Sequence, residues 1–254
     1  QMCIRDRLIT DGKTFQAYDN PVSFVKELDS LFKRLDPSRL TTFATCVDQT
    51  NYLGCADLMA WNKYFNWNDG KQIGSFMDKV KANSQNYPVG VSEYGFGGSI
   101  YQHRCPVNES EILLGRLHPE EFQTISHEKN WEALAERSYL WAKFIWVFAD
   151  FQSVIRKEGD RDGINDKGLV TYDRQIKKDA FYFYKANWNT EPMLHLCDSR
   201  FTERFYSITS IKAYTNLEAA ILYVNGKKIG KMKRDKYNRV IWNNILLQPG
   251  ENII

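Results

Sequence analysis

The sequence predicts an α/β protein in which a parallel sheet of βα units is followed by a smaller antiparallel β part. Three observations point there. Four β-rich apolar runs, at 39–45, 58–65, 89–94 and 144–151, alternate with helical patterns, the order that yields parallel strands joined by crossover helices. After about residue 190 the helical pattern gives way to short strands with turns, in SITSIKAY, AAILYVNGKKIGKM and VIWNNILLQPGENI. Asn225-Gly226 lies between apolar runs, a strong signal for a two-residue hairpin turn.

The first twenty residues show no clear period. Asn20-Pro21 then reads as a helix cap with a first-turn proline. Phe24, Leu28, Leu31, Phe32 and Leu35 recur at helical spacing, which predicts an amphipathic helix over 21–36 that Pro37 ends. RLTTFAT at 39–45 is the first strand, 49–56 a connection, and LMAWNKYF at 58–65 the second strand. A helix follows over 72–84, then the third strand over 89–94. A loop covers about 96–117 and a helical region 119–141. FIWVFADF at 144–151 is the fourth strand, 152–175 a loop rich in Gly and Asp, and KKDAFYFYKANW at 177–188 a helix with an aromatic face.

PVGVSEYGFGG at 88–98 stands out. Val89 and Val91 suit a strand, and Pro88 suits its first position. Glu93 follows at the strand end, where an ionised carboxylate is costly to bury unless paired or used. Gly95, Gly97 and Gly98 then allow close approach of backbone or ligand. Glu93 is either a solvated strand end before a turn or an active-site carboxylate at the C-terminal end of a parallel strand, where barrel enzymes place their chemistry.

Composition narrows the field. The 254 residues suffice for one large domain or for a medium and a small one. A net charge of +3 is too small to argue for nucleic acid. KKIGKMKRDK at 227–236 is the one basic run, and it lies on a hairpin pattern. Five cysteines without CxxC spacing argue against a disulfide framework or a zinc site. His103, His118 and His127 are irregularly spaced, and capping and packing around HPEEFQ account for them better than a metal does. No stretch is long and apolar enough to span a membrane. The aromatic share, 14%, suits stacking on sugar rings as well as a core.

VGVSEYG, the upstream AWNKYFNW and the downstream GINDKGLVTYDRQIKKDAFYFYKANW resemble glycoside hydrolase family 2, most closely its β-galactosidases of the Bacteroidetes type. DPSRLTTFAT, HPEEFQ and EPMLHL stand in the family's order, and the resemblance runs from about residue 10 to the end. It implies the C-terminal half of a TIM (β/α)8 barrel, strands five to eight, within 1–188, followed by part of an immunoglobulin-like β-sandwich at 189–254. Both ends read as cut. The sandwich part lacks the seven or so strands of such a domain, and QMCIRDR at 1–7 reads as foreign sequence.

The resemblance also implies roles. Glu93, the Glu of SEYG, would be the nucleophile of a retaining β-glycosidase, which forms a covalent glycosyl-enzyme with two carboxyl groups roughly 5–5.5 Å apart. A nucleophile that stays ionised needs hydrogen-bond donors, and Tyr64, ending the neighbouring strand, is the candidate. Asn62 is expected at the rim of the same site. Trp146, in the last strand, would stack on the sugar, although Val147 stands where the family usually has Asn or Asp. Trp61 and Trp67 read as core.

Asn165 and Lys167 match the Asn-x-Lys with which the family's β-glucuronidases grip a sugar carboxylate. β-Galactosidases of this type share the motif, and a loop Lys167 paired with Asp166 or Asp173 is the alternative. The expected activity is β-galactosidase, with β-glucuronidase second, Lys167 not acting as a carboxylate clamp, and a non-catalytic carbohydrate-binding protein on the same barrel as the rival class. The family's acid/base Glu, of an Asn-Glu pair before LITDGKTF, has no counterpart here. Asp6 is not promoted to its role, and the chain alone is expected to be inactive. No cofactor is expected in this stretch. A Mg²⁺ site of the complete enzyme would draw its ligands from around that acid. The expected partner is a β-galactoside or related carbohydrate, with no nucleic acid or membrane. The compartment, bacterial periplasm or cytoplasm, is not legible.

Overall fold

The structure is a computed structural model that describes residues 21–48, 52–65, 71–105, 107 and 116–254. Trp67, QMCIRDR and Asp6 therefore lie outside the described residues, as does most of the expected loop between 106 and 115. The first part contains α1 (Pro21–Leu35), β1 (Thr42–Thr45), β2 (Leu58–Asn62), α2 (Gln72–Asn83), β3 (Val89–Tyr94), α3 (Glu120–Ala135) and β4 (Leu140–Ile145). A small hairpin, β5 (Phe151–Gln152) with β6 (Ile164–Asn165), precedes α4 (Asp179–Trp188).

Strands β1 to β4 form one parallel sheet in the order β1-β2-β3-β4. Strand order equals sequence order, without the reversal of a doubly wound sheet. Val89, Gly90 and Val91 are all buried, as a strand covered on both faces requires. Because the strands are parallel, all their C-terminal ends lie along one edge. The helix over 21–36 forms as expected, but its apolar residues Leu28, Leu31, Phe32 and Leu35 are exposed.

Several boundaries differ from the sequence reading. The helix predicted to 141 ends at Ala135. Arg137 folds its guanidinium back onto the Ala133 carbonyl and across to Asp78 of α2 at 2.9 Å. The fourth strand runs over Leu140–Ile145 rather than 144–151. Its buried residues are Leu140 and Ala142, whereas Phe144 and Phe148 of the apolar run face outward. The run imitates a buried strand by composition, but its aromatics are on the wrong side of the chain for one. The second strand likewise stops at Asn62 rather than Phe65.

The core of the sheet is built from Met59, Trp61, Val89, Val91 and Tyr94, closed by Phe183 and Tyr184 of α4. It continues into the second part through Tyr214 and Tyr237. That part consists of β7 (Leu194–Leu196), β8 (Ile208–Thr215), β9 (Ala219–Val224), β10 (Lys227–Lys233) and β11 (Arg239–Leu246), in antiparallel sheets β11-β8-β7 and β10-β9. The Asn225-Gly226 turn joins β9 to β10 with positive φ at both residues, 51° and 75°, the geometry such a two-residue turn needs. In β11 the register shifts after Trp242, and Asn244 takes φ 57°. The shift returns Ile245 to the side of Val240 and Trp242, and all three are buried. Trp242 Nε1 donates to the Gly230 carbonyl at 3.2 Å, linking the two sheets. No helix among the described residues is long and apolar enough to cross a membrane.

A cavity of about 640 Å³ opens between the turn after β7 and the segment after β11, among residues of the second part only. Asp198 is on its wall. Burial pushes its carboxyl up to about 7, against the pull of Lys212 and Arg204. The folded value lies above the ordinary 3.8, so between those two values the folded state holds a proton that the unfolded chain has lost. Stability therefore falls as pH rises through this window. Asp198 has φ 57°, a conformation that Asn tolerates well. Asp198→Asn is expected to stabilise the chain at pH 8 and to change little near pH 4, as read from denaturant midpoints. An equal gain at both pH values would contradict the assignment.

Candidate active site

Asn62 and Glu93 are register partners at the C-terminal ends of β2 and β3. The Lys63 N–H donates to the Glu93 carbonyl at 2.8 Å, which fixes the strand ends side by side. Tyr64 is two residues past the end of β2, not within the strand as expected. From there its hydroxyl donates to Glu93 Oε2 at 2.7 Å. A hydrogen bond to an ionised carboxylate favours the charged form, and the Tyr64 hydroxyl is placed to make one. Asn62 is buried rather than at an open rim, and its Oδ1 accepts the Ser92 hydroxyl at 2.7 Å.

Trp146 is the first residue beyond β4, not inside the last strand. Its N–H donates to the Tyr94 carbonyl at 2.9 Å, and its ring meets Phe151 edge-on at 5.8 Å. The peptide to Val147 is cis. Gly95 makes this approach possible. Its φ is +152°, and a Cβ there would be 2.6 Å from the Trp146 carbonyl oxygen. Val147 then donates its N–H to the Lys167 carbonyl at 3.1 Å, and Leu169 returns a bond to the Val147 carbonyl at 3.0 Å. Gly98 donates to the Asp166 carbonyl at 3.1 Å. The Asn165–Lys167 segment is thereby tied to the chain leaving both β3 and β4.

Asn165 is buried and turns its Oδ1 onto the Lys167 N–H at 3.2 Å. Lys167 Nζ is 3.3 Å from Glu158 Oε1. The alternatives weighed from sequence, Asp166 and Asp173, are both committed elsewhere. Asp166 Oδ2 meets His118 Nδ1 at 2.7 Å, and Asp173 folds onto the Thr171 hydroxyl at 2.5 Å and the Gln175 N–H at 3.1 Å.

Behind this face is a buried network that sequence reasoning did not find. Lys178 Nζ donates to Asp150 Oδ1 at 2.8 Å and to the Asp166 carbonyl at 2.9 Å. Asp150 Oδ1 also accepts the Gly168 N–H at 2.8 Å. Gln123 Nε2 donates to the Phe96 and Gly168 carbonyls at 3.0 and 3.1 Å, joining the glycine loop to the Asn165–Lys167 segment. Burial works to raise the Asp166 carboxyl, but the His118 hydrogen bond and charge outweigh it and hold it below the ordinary value. The signal was the HPEEFQ motif, which supplies His118 and Gln123.

The histidines are held by packing, not by capping. The α3 cap is Pro119, without a side-chain cap bond. His103 Nδ1 meets Glu121 Oε1 at 2.7 Å and its ring stacks on Phe201 at 5.3 Å. His127 is buried, its Nδ1 3.0 Å from the Tyr184 hydroxyl, and burial pushes its ring down to about 3. One trio among the described residues, Asp179, His195 and Cys197, is close enough together to hold a metal. Asp179 Oδ1 already faces His195 Nε2 at 2.8 Å and Arg200 Nη2 at 3.3 Å, and Oδ2 accepts the Asp198 N–H at 2.7 Å. A guanidinium on that carboxylate opposes a second cation, so the trio serves as a hydrogen-bonded joint between α4 and β7.

The chain has known relatives both in sequence and in fold. A curated β-glucuronidase of Bacteroides fragilis is 45% identical over 240 residues, covering 93% of this chain and 34% of that protein. The FMN-binding β-glucuronidase structure from Facaelibacterium prausnitzii matches with a TM-score of 0.83 at 33% identity, over 92% of this chain and 36% of its own. A Bacteroides fragilis structure described as a "putative beta-galactosidase" matches with a TM-score of 0.84 at 26% identity, over 94% and 36%. Residues 207–254 match a family model described only as a domain of unknown function, DUF4982. The chain spans about a third of the length of the curated relatives it matches. It is thus a homologue of β-glycosidases. More particularly, its relatives are β-glucuronidases and a β-galactosidase-like protein of the glycoside hydrolase family 2 type, and the chain is homologous to that family.

Gly97 gives a direct test of the buried network. A Cβ at Gly97 would overlap Asp166 Oδ1 and His118 Nδ1, whereas one at Gly230 meets nothing within 4 Å. Gly97→Ala is expected to destabilise the chain by ~1–3 kcal/mol, the range for overpacking a tight site. Gly230→Ala should change stability by under ~1 kcal/mol. Equal denaturant midpoints for the two variants would show that the network yields without cost.

Proposed function

We propose that the protein to which this chain belongs is a retaining β-glycosidase, acting first on β-glucuronides, with Glu93 as nucleophile. The observation that carries this is the Tyr64 hydroxyl on Glu93 Oε2 at 2.7 Å, at the matched ends of two parallel strands. In this reading β1 to β4 are strands five to eight of a (β/α)8 barrel within 1–188, and 189–254 is part of an immunoglobulin-like sandwich. Four parallel strands in sequence order are what such a stretch of barrel requires.

The roles follow from the chemistry. Glu93 attacks the anomeric carbon and forms a covalent glycosyl-enzyme, which water then hydrolyses. Tyr64 keeps Glu93 ionised and oriented. Trp146 offers a flat apolar face to the sugar, and Asn62 is beside the reacting centre. A second carboxyl must protonate the leaving group. The family resemblance assigns that role to the Glu of an Asn-Glu pair expected before LITDGKTF. General acid catalysis of this kind contributes ~10²–10⁴-fold.

The sequence alone put galactosides first. The 45% identical relative is named a β-glucuronidase, which favours glucuronides, and the Asn165-x-Lys167 motif, shared by both classes, is compatible with a carboxylate grip. A β-galactosidase remains the second reading, favoured by the similarity to the Bacteroides fragilis structure described under that name and by the engagement of Lys167 with Glu158.

Two measurements on a complete enzyme carrying this segment test the reading. Glu93→Gln should lower kcat by several orders of magnitude, and a mechanism-based fluoro-sugar should label a peptide containing Glu93. Labelling of any other carboxylate would end the assignment. Aryl β-glucuronide turnover should exceed aryl β-galactoside turnover, and Lys167→Ala should remove that preference. A galactoside preference unaffected by Lys167→Ala would reverse the order of the two sugars.

A further inference from the structure

The cationic side of the site holds more than Lys167. Arg156 Nη1 is 3.2 Å from Glu158 Oε1, the same oxygen that Lys167 Nζ meets at 3.3 Å. Two cations thus share one carboxylate, and the cluster carries a net charge of one positive. Arg156 Nε is buried and has no hydrogen-bond partner, an unusual state for a guanidinium donor. The position of Arg156 is fixed from the backbone. Its N–H donates to the Ser153 carbonyl at 2.9 Å, and its carbonyl accepts the Gly163 N–H at 2.9 Å, within the turn that joins β5 to β6. Asn165, at the end of β6, turns onto Lys167 in the same strand-end segment. The Asp166 carbonyl, between them, is anchored by Lys178 and Gly98.

From this geometry we infer that Arg156 is a second substrate-binding cation and Glu158 a built-in counter-ion, whose carboxylate occupies the place that a sugar carboxylate takes when it binds. The inference rests on the reading of Glu93 as the centre of a glycosidase site and goes beyond it. Glu158 is a carboxylate on two cations with a donor left over. An incoming uronate carboxylate offers the same chemistry, with planar oxygens suited to a guanidinium edge. A neutral sugar offers nothing that competes with Glu158. The device therefore makes selection depend on charge: an anionic sugar displaces Glu158, and a neutral one leaves the cluster closed.

The experiment uses the full-length protein and two simple probes, D-glucuronate and D-galactose, each titrated as a competitive inhibitor of aryl glycoside hydrolysis. Arg156→Gln should weaken glucuronate binding ~10-fold or more, a loss within the range for a hydrogen bond to a charged group, and leave galactose within ~2-fold. Glu158→Gln keeps an oxygen acceptor for both cations and removes the competing charge, so it should tighten glucuronate severalfold with galactose again unchanged. A glucuronate-to-galactose ratio unaltered in either variant would overturn the inference, as would weaker glucuronate binding in Glu158→Gln. Failure of the glycosidase reading is seen separately, as persistence of turnover in Glu93→Gln.

Discussion

The buried ammonium of Lys178 is the constraint on which the rest of the site depends. Its side chain is 1% exposed, and a charge so placed is tolerated only when paired and fully hydrogen-bonded. Asp150 supplies the counter-charge and the Asp166 carbonyl a second acceptor. Asp150 follows β4, and Asp166 lies between Asn165 and Lys167. Satisfying one cation therefore sets the spacing between the end of the fourth strand and the Asn165–Lys167 segment. The Gly168 N–H on Asp150 Oδ1 closes the ring. Burial pushes the Asp150 carboxyl upward, and Lys178 pulls it back, so each charge is held by the other. Removing either partner alone would leave an uncompensated buried ion, which is why the segment cannot drift.

The same logic joins the two parts of the chain. Glu128 on α3 accepts Lys212 Nζ at 2.7 Å, Arg239 Nη1 at 3.3 Å and the Tyr214 hydroxyl, all from β8 and β11. Tyr214 also packs on Phe183 of α4 with ring centroids 5.4 Å apart. Apolar contact supplies area without direction, and the Glu128 cluster supplies direction. Together they bind the antiparallel sheet to the helices behind the parallel one. The strand-end loops and the hairpin of the site thus emerge from a scaffold closed on its far side.

The fold was legible where periodicity and side-chain type agreed. α1, α2, β3 and the Asn225-Gly226 turn could be read from spacing alone: local preference and burial agree in α2 and β3, whereas α1 follows its helical spacing although Leu28, Leu31, Phe32 and Leu35 are exposed. The fourth strand was misplaced because FIWVFADF is apolar without being inward-facing, whereas SYLWAKFI alternates and is the strand. The contact between Glu93 and Tyr64 was expected from the resemblance of SEYG and WNKY to the family, and the structure brings the two side chains together. Lys178, Asp150 and Gln123 were not. A buried Lys looks like any other Lys in a sequence, and its partners lie 12 to 28 residues away. Arg156 and Glu158 were hidden for the same reason, in a loop read only as rich in Gly and Asp.

Seen by chemistry, the site has two halves with opposite requirements. In the proposed reading the Glu93 carboxylate must stay ionised yet reactive, and the Tyr64 hydroxyl donates to it. At Glu158 the carboxylate is flanked by Lys167 and Arg156 and is electrostatically satisfied. Exchanging these environments would defeat both. A cation on Glu93 would lower its nucleophilicity, and a bare Glu158 would repel a uronate. The Lys167 segment is tied to the glycine loop after β3 by the Gly98 N–H on the Asp166 carbonyl and by the Gln123 amide, and to Asp150 by the Lys178 ammonium, which fixes the span between the halves. In the proposed reading, substrate charge is then sorted at Glu158 without disturbing the ionisation of Glu93.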